Sequence, residues 1–358
     1  RPPEGAKAPL GGSDPRAAGE RGGHVSGSAA PAFELPLPDI APWRAGNTGI
    51  EGVWHFDSGQ SGRAVLISAL IHGNELCGAW ALKGLLEAGL RPARGSLTLM
   101  FCNLAAFDRF DAAHHDAARF VEQDLNRQWT PERIQAADSL ERRRAAALAP
   151  WAGRADWLLD LHSMHEPSAP LLLTGVQPRN LDLARQLRAP EHIVVDVGHS
   201  DGVRMRDFGR FGLPDDAAGD TRSLLIECGF HGDPSSRAVA QDMCLRFLQA
   251  AGTLDGSAPD AQLPGWRLPD APRQWALKVD GAAVARSERF AFVAPFTGLE
   301  VLAHAGTVIG HHDGPGEGEP VVTPYDDCVL VMPSVRQARA GVTVVRFARR
   351  ALVQPAEK

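Results

Sequence analysis

Six short apolar runs between residues 64 and 230 constrain the fold of this 358-residue chain more than any other feature. They are AVLISALI, GSLTLMFCNL, ADWLLDLHSM, APLLLTG, HIVVDVG and RSLLIECGF. Runs of this length, rich in Val, Leu and Ile, are typical of strands that are covered on both faces of a mainly parallel sheet. Helices are predicted between them, at about 75–89, 131–149, 178–188 and 234–251. The alternation predicts an α/β fold, with a mixed, mostly parallel sheet and helices on both faces.

Changes in composition divide the chain into three regions. Residues 1–30 are rich in Gly, Pro, Ala, Ser and Arg, with almost no large apolar side chain, so we predict a disordered segment. Residues 31–252 contain the predicted sheet and form the predicted catalytic domain. Residues 253–358 open with a stretch rich in Gly, Ser, Asp and Pro and continue as short strand-like pieces. This texture predicts a small C-terminal β domain.

Charge and cysteine content disfavour several classes of protein. The formal net charge is -6 and the longest basic run is Arg142-Arg143-Arg144, so a nucleic-acid partner is not expected. The apolar runs are too short for a membrane span, and the N-terminus lacks the layout of a secretory signal. The 5 cysteines show no CxxC spacing and are predicted to be buried free thiols. We therefore expect a cytoplasmic protein with no membrane partner.

The first motif whose side chains could carry chemistry is His72-Gly73-Asn74-Glu75, which directly follows the apolar run LISALI. It lies where a strand ends and a helix begins, the usual place for ligands in open α/β sheets. Two histidines and a glutamate form a known catalytic zinc set that leaves a position for water. By itself, however, this spacing also fits a histidine and a glutamate that are exposed to solvent in a loop.

The second motif, Asp160-Leu161-His162-Ser163, ends another predicted strand. Residues 160 and 162 lie on the same face of a strand, so Asp160 is placed to orient an imidazole while His162 offers a third ligand. A single histidine at a strand end also occurs as an ordinary hydrogen-bonding residue. The pairing with the first motif favours the metal site.

Two further features complete the pattern. The loop from Arg119 to Arg127 carries two guanidinium groups and the amide of Asn126, which suit a grip on a carboxylate or an oxyanion. The alternative is a surface loop paired with its own acids. Glu227 closes an otherwise apolar strand in LLIECGF, where a carboxylate is costly without a role or a partner. It is suited to act as a general base toward an activated water.

In this order, HGNE, RFVEQDLNR, DLHS and IECG resemble the motifs of the succinylglutamate desuccinylase and aspartoacylase family, a branch of the zinc carboxypeptidase-like fold. The resemblance spans roughly residues 63–350. It implies one Zn²⁺ ion per chain, bound by His72, Glu75 and His162.

The same resemblance implies roles for four more residues. Arg119 is expected to polarise the scissile carbonyl, Asn126 and Arg127 to hold the carboxylate of the substrate, and Glu227 to act as the catalytic acid/base. The C-terminal region resembles the family's β domain, whose shape in bacterial members is similar to a biotinyl or lipoyl carrier barrel. No lysine occupies either candidate hairpin, so a carrier function is not expected.

The chain departs from the family pattern at one position. Aspartoacylases carry an additional substrate-binding arginine upstream of the catalytic glutamate, and this chain has Ala217 at the corresponding spacing. Arg210 and Arg222 are the nearest basic residues and are the candidates to take its place. A substrate less acidic than aspartate or succinylglutamate derivatives is compatible with this departure.

The resemblance therefore predicts a zinc-dependent deacylase that cleaves the amide bond of a small N-acyl amino acid or a related carboxylate-bearing substrate. A carboxypeptidase or an esterase using the same site is an alternative. A non-catalytic homologue that binds a metabolite is another. The sequence leaves room for a homo-oligomer.

Overall fold

Strands and helices alternate along the described part of the chain, which is residues 31–256 and 258–353 of a computed structural model. The predicted disordered segment 1–30 lies outside the described residues. The strands are β1 (Val53–Asp57), β2 (Ala64–Ala69), β3 (Ser96–Phe101), β4 (Trp157–Met164), β5 (Leu171–Leu173), β6 (His192–Val195), β7 (Arg222–Phe230), β8 (Gln274–Val284), β9 (Ala291–Phe292), β10 (Val301–Leu302), β11 (Val308–His311), β12 (Pro320–Val322), β13 (Cys328–Val331) and β14 (Thr343–Val353). The helices are α1 (Leu76–Glu87), α2 (Leu104–Phe107), α3 (Pro131–Ala136), α4 (Leu140–Arg154), α5 (Pro178–Leu187), α6 (Asp215–Ala218), α7 (Ser235–Ala250) and α8 (Ala258–Gln262). Each of the six apolar runs contains one strand, as predicted.

One large mixed sheet organises the molecule. Its strand order is β1-β3-β2-β4-β7-β5-β6-β8-β14-β13-β10. The four strands β3, β2, β4 and β7 run parallel to one another, whereas β1 and β5 pair antiparallel with their neighbours β3 and β7. The predicted mixed α/β sheet is therefore confirmed. The strands that contain or directly precede the motifs HGNE, DLHS and IECG are among its parallel strands.

Helices cover both faces of this sheet. Val65 and Ile67 of β2 pack in the apolar core shared with α1, α5 and α7, whereas Leu66 between them packs with Leu148 of α4. Successive side chains of a strand point to opposite faces, so a strand buried on both faces must be apolar throughout. This requirement explains the continuous apolar runs.

The helix predicted at 131–149 is two helices. Thr130 caps α3 through its side chain, as its position before Pro131 indicates, but Ala137 ends that helix in a left-handed conformation. The side chain of Ser139 then accepts a backbone N–H and caps α4, which continues to Arg154. A serine side chain that caps the start of a new helix favours a break over continuation of the preceding helix, so the segment divides there.

The C-terminal region continues the same sheet. β8 pairs parallel with β6, and β14 pairs antiparallel with both β8 and β13. A separate three-stranded sheet has the order β12-β11-β9. The predicted domain boundary between residues 252 and 253 stays a prediction. All five cysteines are buried free thiols, as predicted, and no helix among the described residues is long and apolar enough to cross a membrane.

Candidate active site

The turn after β2 delivers the HGNE motif to the edge of the sheet. Leu70 has a left-handed backbone (φ 59°), which is uncommon for a residue with a branched side chain and recurs at functional sites. Gly73 lies against α2, where a Cβ atom would be 2.4 Å from backbone atoms of Ala106 and Phe107. Its amide donates to the carbonyl of Arg119. Only glycine permits this approach, which ties the motif to the Arg119 loop.

His72, Glu75 and His162 converge at this edge and are almost fully buried. Glu75 immediately precedes α1, but its carboxylate does not cap that helix. Its Oε1 is 2.8 Å from Nδ1 of His72, and its Oε2 is 2.8 Å from Nδ1 of His162. Burial opposes ionisation of Glu75, yet the two imidazoles hold its pKa well below the ordinary value. These three side chains are arranged so that they could hold one metal ion.

The outer nitrogens of both imidazoles contact carboxylates. Nε2 of His162 is 2.8 Å from Oδ2 of Asp160, and Nε2 of His72 is 2.9 Å from Oδ1 of Asp124. With the outer nitrogens as donors, each Nδ1 presents its lone pair to the position that a metal would occupy. The sequence predicted the partner at Asp160, whereas it assigned no role to Asp124.

Glu227 lies beside the group, opposite His162 in the parallel pairing of β4 with β7. Its Oε2 atom is buried and has no hydrogen-bond partner among the described residues. Burial and repulsion from the carboxylate of Glu75 raise the pKa of Glu227 well above its ordinary value. A carboxylate with raised proton affinity and an unpartnered oxygen is suited to carry a proton.

Arg119 lies next to the carboxylates of the site. Its Nη2 is 3.0 Å from Oδ2 of Asp124, and its Nη1 is 3.6 Å from Oε1 of Glu75. Its Nε is buried and has no hydrogen-bond partner in the described part of the chain. The guanidinium therefore keeps one unused donor near the site.

Asn126 and Arg127 also line the site. Oδ1 of Asn126 accepts the backbone N–H of Met205 at 3.1 Å, which fixes the amide and leaves its NH₂ group for other contacts. Arg127 donates from Nε to Oδ1 of Asp201 at 3.1 Å. Asp201 is largely exposed, so this ion pair is easily exchanged for another anion.

Arg210 and Arg222, the two candidates for the missing family arginine, are not brought to this site. Arg210 donates to the carbonyl of Ala155, two residues before β4 begins. Arg222 is the first residue of β7, five positions before Glu227, which corresponds to about 16 Å along a strand. Both lie toward the amino ends of the parallel strands, whereas the site lies at the carboxyl ends. Placing either residue in this pocket was therefore wrong.

Sequence reasoning missed several other residues of the pocket. They include His165, Asp196, His199, Arg204 and Arg346. No short motif marks them, and Arg346 lies on β14, more than 100 residues after the last motif. A pairing of distant strands brings it here, and local sequence patterns carry no signal for that pairing.

A second group with metal-ligand chemistry, Asp116, His165 and His231, lies beside Arg119. Nη1 of Arg119 donates to Nε2 of His165 at 3.2 Å, so the proton of that imidazole lies on Nδ1, which faces Asp116 at 3.1 Å. In this tautomer Nδ1 has no lone pair for a metal. We interpret the group as hydrogen-bonded support that orients Arg119.

The site opens into a cavity of about 1130 Å³. Its wall includes the proposed metal ligands together with Arg119, Asn126, Arg127 and Glu227. Residues from β8 and β14 form another part of the wall. A cavity of this size admits a small molecule, and residues from both sides of the predicted domain boundary line it.

Known proteins resemble the chain in both sequence and fold. Residues 61–206 match the sequence model of the succinylglutamate desuccinylase/aspartoacylase catalytic domain. No curated protein sequence matches the chain. The match contains HGNE, the Arg119 loop and DLHS, whereas Glu227 lies beyond it.

Three solved structures illustrate the likeness in fold. A succinylglutamate desuccinylase/aspartoacylase from Rhodobacter sphaeroides has a TM-score of 0.56 and 20% identity, over 81% of this chain and 87% of that one. A succinylglutamate desuccinylase from Vibrio cholerae has a TM-score of 0.57 and 18% identity, over 84% and 86%. A product-bound ectoine utilization protein from Ruegeria pomeroyi has a TM-score of 0.57 and 15% identity, over 88% and 92%.

Identities this low show the fold alone. The sequence model covers residues 61–206, and over that part the chain is similar to the succinylglutamate desuccinylase/aspartoacylase catalytic domain.

Proposed function

We propose that this chain is a zinc-dependent deacylase, which hydrolyses the amide bond of a small N-acyl amino acid or a related carboxylate-bearing substrate. The observation that carries the proposal is the buried group of His72, Glu75 and His162, with Glu227 beside it in one cavity. Two imidazole nitrogens and a carboxylate fit a catalytic zinc ion, and the outer nitrogen of each imidazole already contacts a carboxylate. A bound zinc ion would supply Lewis-acid activation of water and of the scissile carbonyl.

Glu227 moves the proton in the proposed reaction. Its carboxylate accepts a proton from the attacking water and delivers it to the amide nitrogen as the C–N bond breaks. Burial and the nearby Glu75 raise the pKa of Glu227, which increases its affinity for that proton. The unpartnered Oε2 is the atom best suited to this transfer.

Arg119 stabilises the negative charge that develops on the carbonyl oxygen. Its unpartnered Nε can donate to that oxygen, while Asp124 and His165 hold the two other nitrogens in place. A donor fixed before the reaction need not be reoriented as charge develops, which is the main source of oxyanion stabilisation.

Asn126 and Arg127 hold the substrate's carboxylate. Asn126 is fixed by its bond from Met205, so its NH₂ group is oriented before substrate arrives. Arg127 can exchange its exposed partner Asp201 for the substrate. This pair makes a free carboxylate a requirement for good substrates.

Amine release from a panel of substrates tests the proposal. The panel contains N-acetyl, N-formyl and N-succinyl amino acids, dipeptides with free carboxylates and a simple ester, each with and without a chelator. Chelator-sensitive release from the N-acyl amino acids is expected. Release from the dipeptides or the ester alone would favour a carboxypeptidase or an esterase, and no release from zinc-loaded protein would favour a non-catalytic binding protein.

One zinc ion per chain, a cytoplasmic location and association into a homo-oligomer stay predictions from the sequence. The first is tested by metal analysis of the purified protein, and the last by its mass in solution.

A further inference from the structure

Three guanidinium groups meet at one wall of the cavity, around His199. Arg127, Arg204 and Arg346 all line this wall, and Nη2 of Arg346 is 3.3 Å from Nδ1 of His199. Burial and the charges of the three arginines hold the pKa of His199 far below its ordinary value. The imidazole is therefore neutral, so it does not add to the positive charge and can accept a hydrogen bond from Arg346.

Two of these arginines already have carboxylate partners. Arg204 is buried and contacts both oxygens of Asp196 at 3.1 and 3.2 Å, and Asp207 at 2.6 Å. Arg127 contacts the largely exposed Asp201 at 3.1 Å and reaches Asp124 only at 4.0 Å. Arg204 is thus a neutralised structural residue, whereas the pairing of Arg127 is weak.

Arg346 differs from both because it makes no ion pair with any described residue, although it is partly buried. The charge of Asp196 does act on it, but both oxygens of Asp196 are already engaged by Arg204. A partly buried guanidinium without a carboxylate carries a desolvation cost that a bound anion would offset. The wall therefore carries positive charge that the described residues do not neutralise.

The backbone holds Arg346 firmly in this position. It lies within β14 between two paired strands, opposite Val331 of β13 and Ala282 of β8. Side chains on paired strands are more precisely placed than those on loops. Arg346 and Glu227 line the same cavity.

We propose that Arg346 and Arg127 together bind the carboxylate of the substrate, so that the C-terminal strand β14 supplies a specificity residue of the active site. This inference rests on the proposed deacylase function. Arg346 takes the part that neither Arg210 nor Arg222 can play from the far ends of the strands. Guanidinium forks bind carboxylates in two-point contacts, which gives direction as well as affinity.

A matched pair of probes tests the subsite without turnover. Every protein in the titration is zinc-loaded and carries Glu227→Gln to suppress hydrolysis, so wild type here means an unaltered residue 346. Each protein is titrated with N-acetyl-L-alanine and with its carboxamide, and binding is followed by ligand-observed NMR. Wild type is expected to bind the carboxylate at least tenfold more tightly than the amide. Arg346→Gln should lose most of that preference, whereas Arg346→Lys should keep part of it because the charge remains.

Arg350→Gln is the control, since Arg350 is exposed on the same strand and packs over Trp275. It should leave the preference unchanged, and zinc content should be equal in all variants. No preference in wild type, or an unchanged preference in Arg346→Gln, would overturn the proposal.

Kinetics separate this inference from the function on which it rests. With the substrate identified by the panel, Arg346→Gln should raise KM about tenfold or more and change kcat little. A carboxylate preference without any hydrolysis would support the subsite at Arg346 and contradict the deacylase function. Hydrolysis that does not depend on Arg346 would support the deacylase function and contradict the subsite.

Discussion

Asp160 and His162, two residues apart on β4, are joined by a contact of 2.8 Å between Oδ2 and Nε2. The other oxygen of Asp160 accepts the hydroxyl of Ser68 at 2.7 Å, so the carboxylate is fixed. With Nε2 donating to Asp160, Nδ1 of His162, which faces Glu75, is the nitrogen left to bind a metal. The carboxylate thus selects the tautomer that can bind a metal.

Asp160→Asn should weaken zinc binding by about 10-fold to 100-fold, because the neutral amide no longer orients the imidazole or raises its basicity. Competition with a chromophoric chelator measures this affinity. Ser68→Ala, which removes only one contact to Asp160, should have a smaller effect. Equal zinc affinity in Asp160→Asn and wild type would contradict the role of this contact.

Arg119→Lys should lower kcat by about 100-fold, since lysine keeps the charge but cannot direct a donor to the oxyanion while contacting Asp124 and His165. Steady-state kinetics with the best substrate of the panel check this. Arg143→Lys, on the exposed surface of α4, is the control and should be unchanged. A kcat within threefold of wild type would remove Arg119 from the reaction.

Two helical glycines should respond oppositely to alanine. A Cβ at Gly78 of α1 would lie 2.8 Å from the Cβ atoms of Ala69 and Leu161, so Gly78→Ala should cost about 1–2 kcal/mol of stability. It should also weaken zinc binding, because Glu75 immediately precedes α1. Gly153 of α4 is exposed and has only Phe208 within reach, at 3.9 Å.

Gly153→Ala should therefore be neutral or stabilise by up to about 1 kcal/mol. Urea unfolding of both variants measures the free energies. Similar changes in the two would contradict the tight contact between α1 and the sheet.

The buried pair of Asp196 and Arg204 should make stability depend on pH. Burial alone would raise the pKa of Asp196, but the charge and hydrogen bonds of Arg204 outweigh burial and lower it. A carboxyl with a lowered pKa stabilises the fold above its unfolded pKa, near 4, and loses that contribution as pH falls through the folded pKa.

Asp196→Asn should therefore cost roughly 3 kcal/mol at pH 7, and its difference from wild type should shrink in acid. Urea unfolding at several pH values checks this. Asp201→Asn should change stability by less than about 0.5 kcal/mol, since Asp201 is largely exposed. A pH-independent difference for Asp196→Asn would contradict the ion pair.

Local patterns were enough to predict the strands of the parallel sheet and the residues at their ends. Each apolar run reports a strand buried on both faces, and parallel strands bring their carboxyl ends to one edge. His72 and His162, 90 residues apart, could therefore be predicted to meet at that edge. Thr130 and Pro131 likewise marked the start of α3.

Features that depend on distant or competing contacts could not be predicted. The break between α3 and α4 depends on Ser139 capping a new helix within a stretch that otherwise favours one helix. Asp124 acquires its role only when the loop folds over His72. Arg346 reaches the cavity through the pairing of β14 with β8, a contact that no spacing in the sequence reports.

Turnover and zinc content of Glu227→Gln test the central claim most directly. Glutamine has nearly the same shape but cannot carry the proton, while His72, Glu75 and His162 remain to bind the metal. We predict zinc content equal to wild type and a kcat lower by about 1000-fold or more on the best N-acyl amino acid. A fully zinc-loaded variant that keeps a rate within tenfold of wild type would contradict the proposed role of Glu227 and the mechanism built on it.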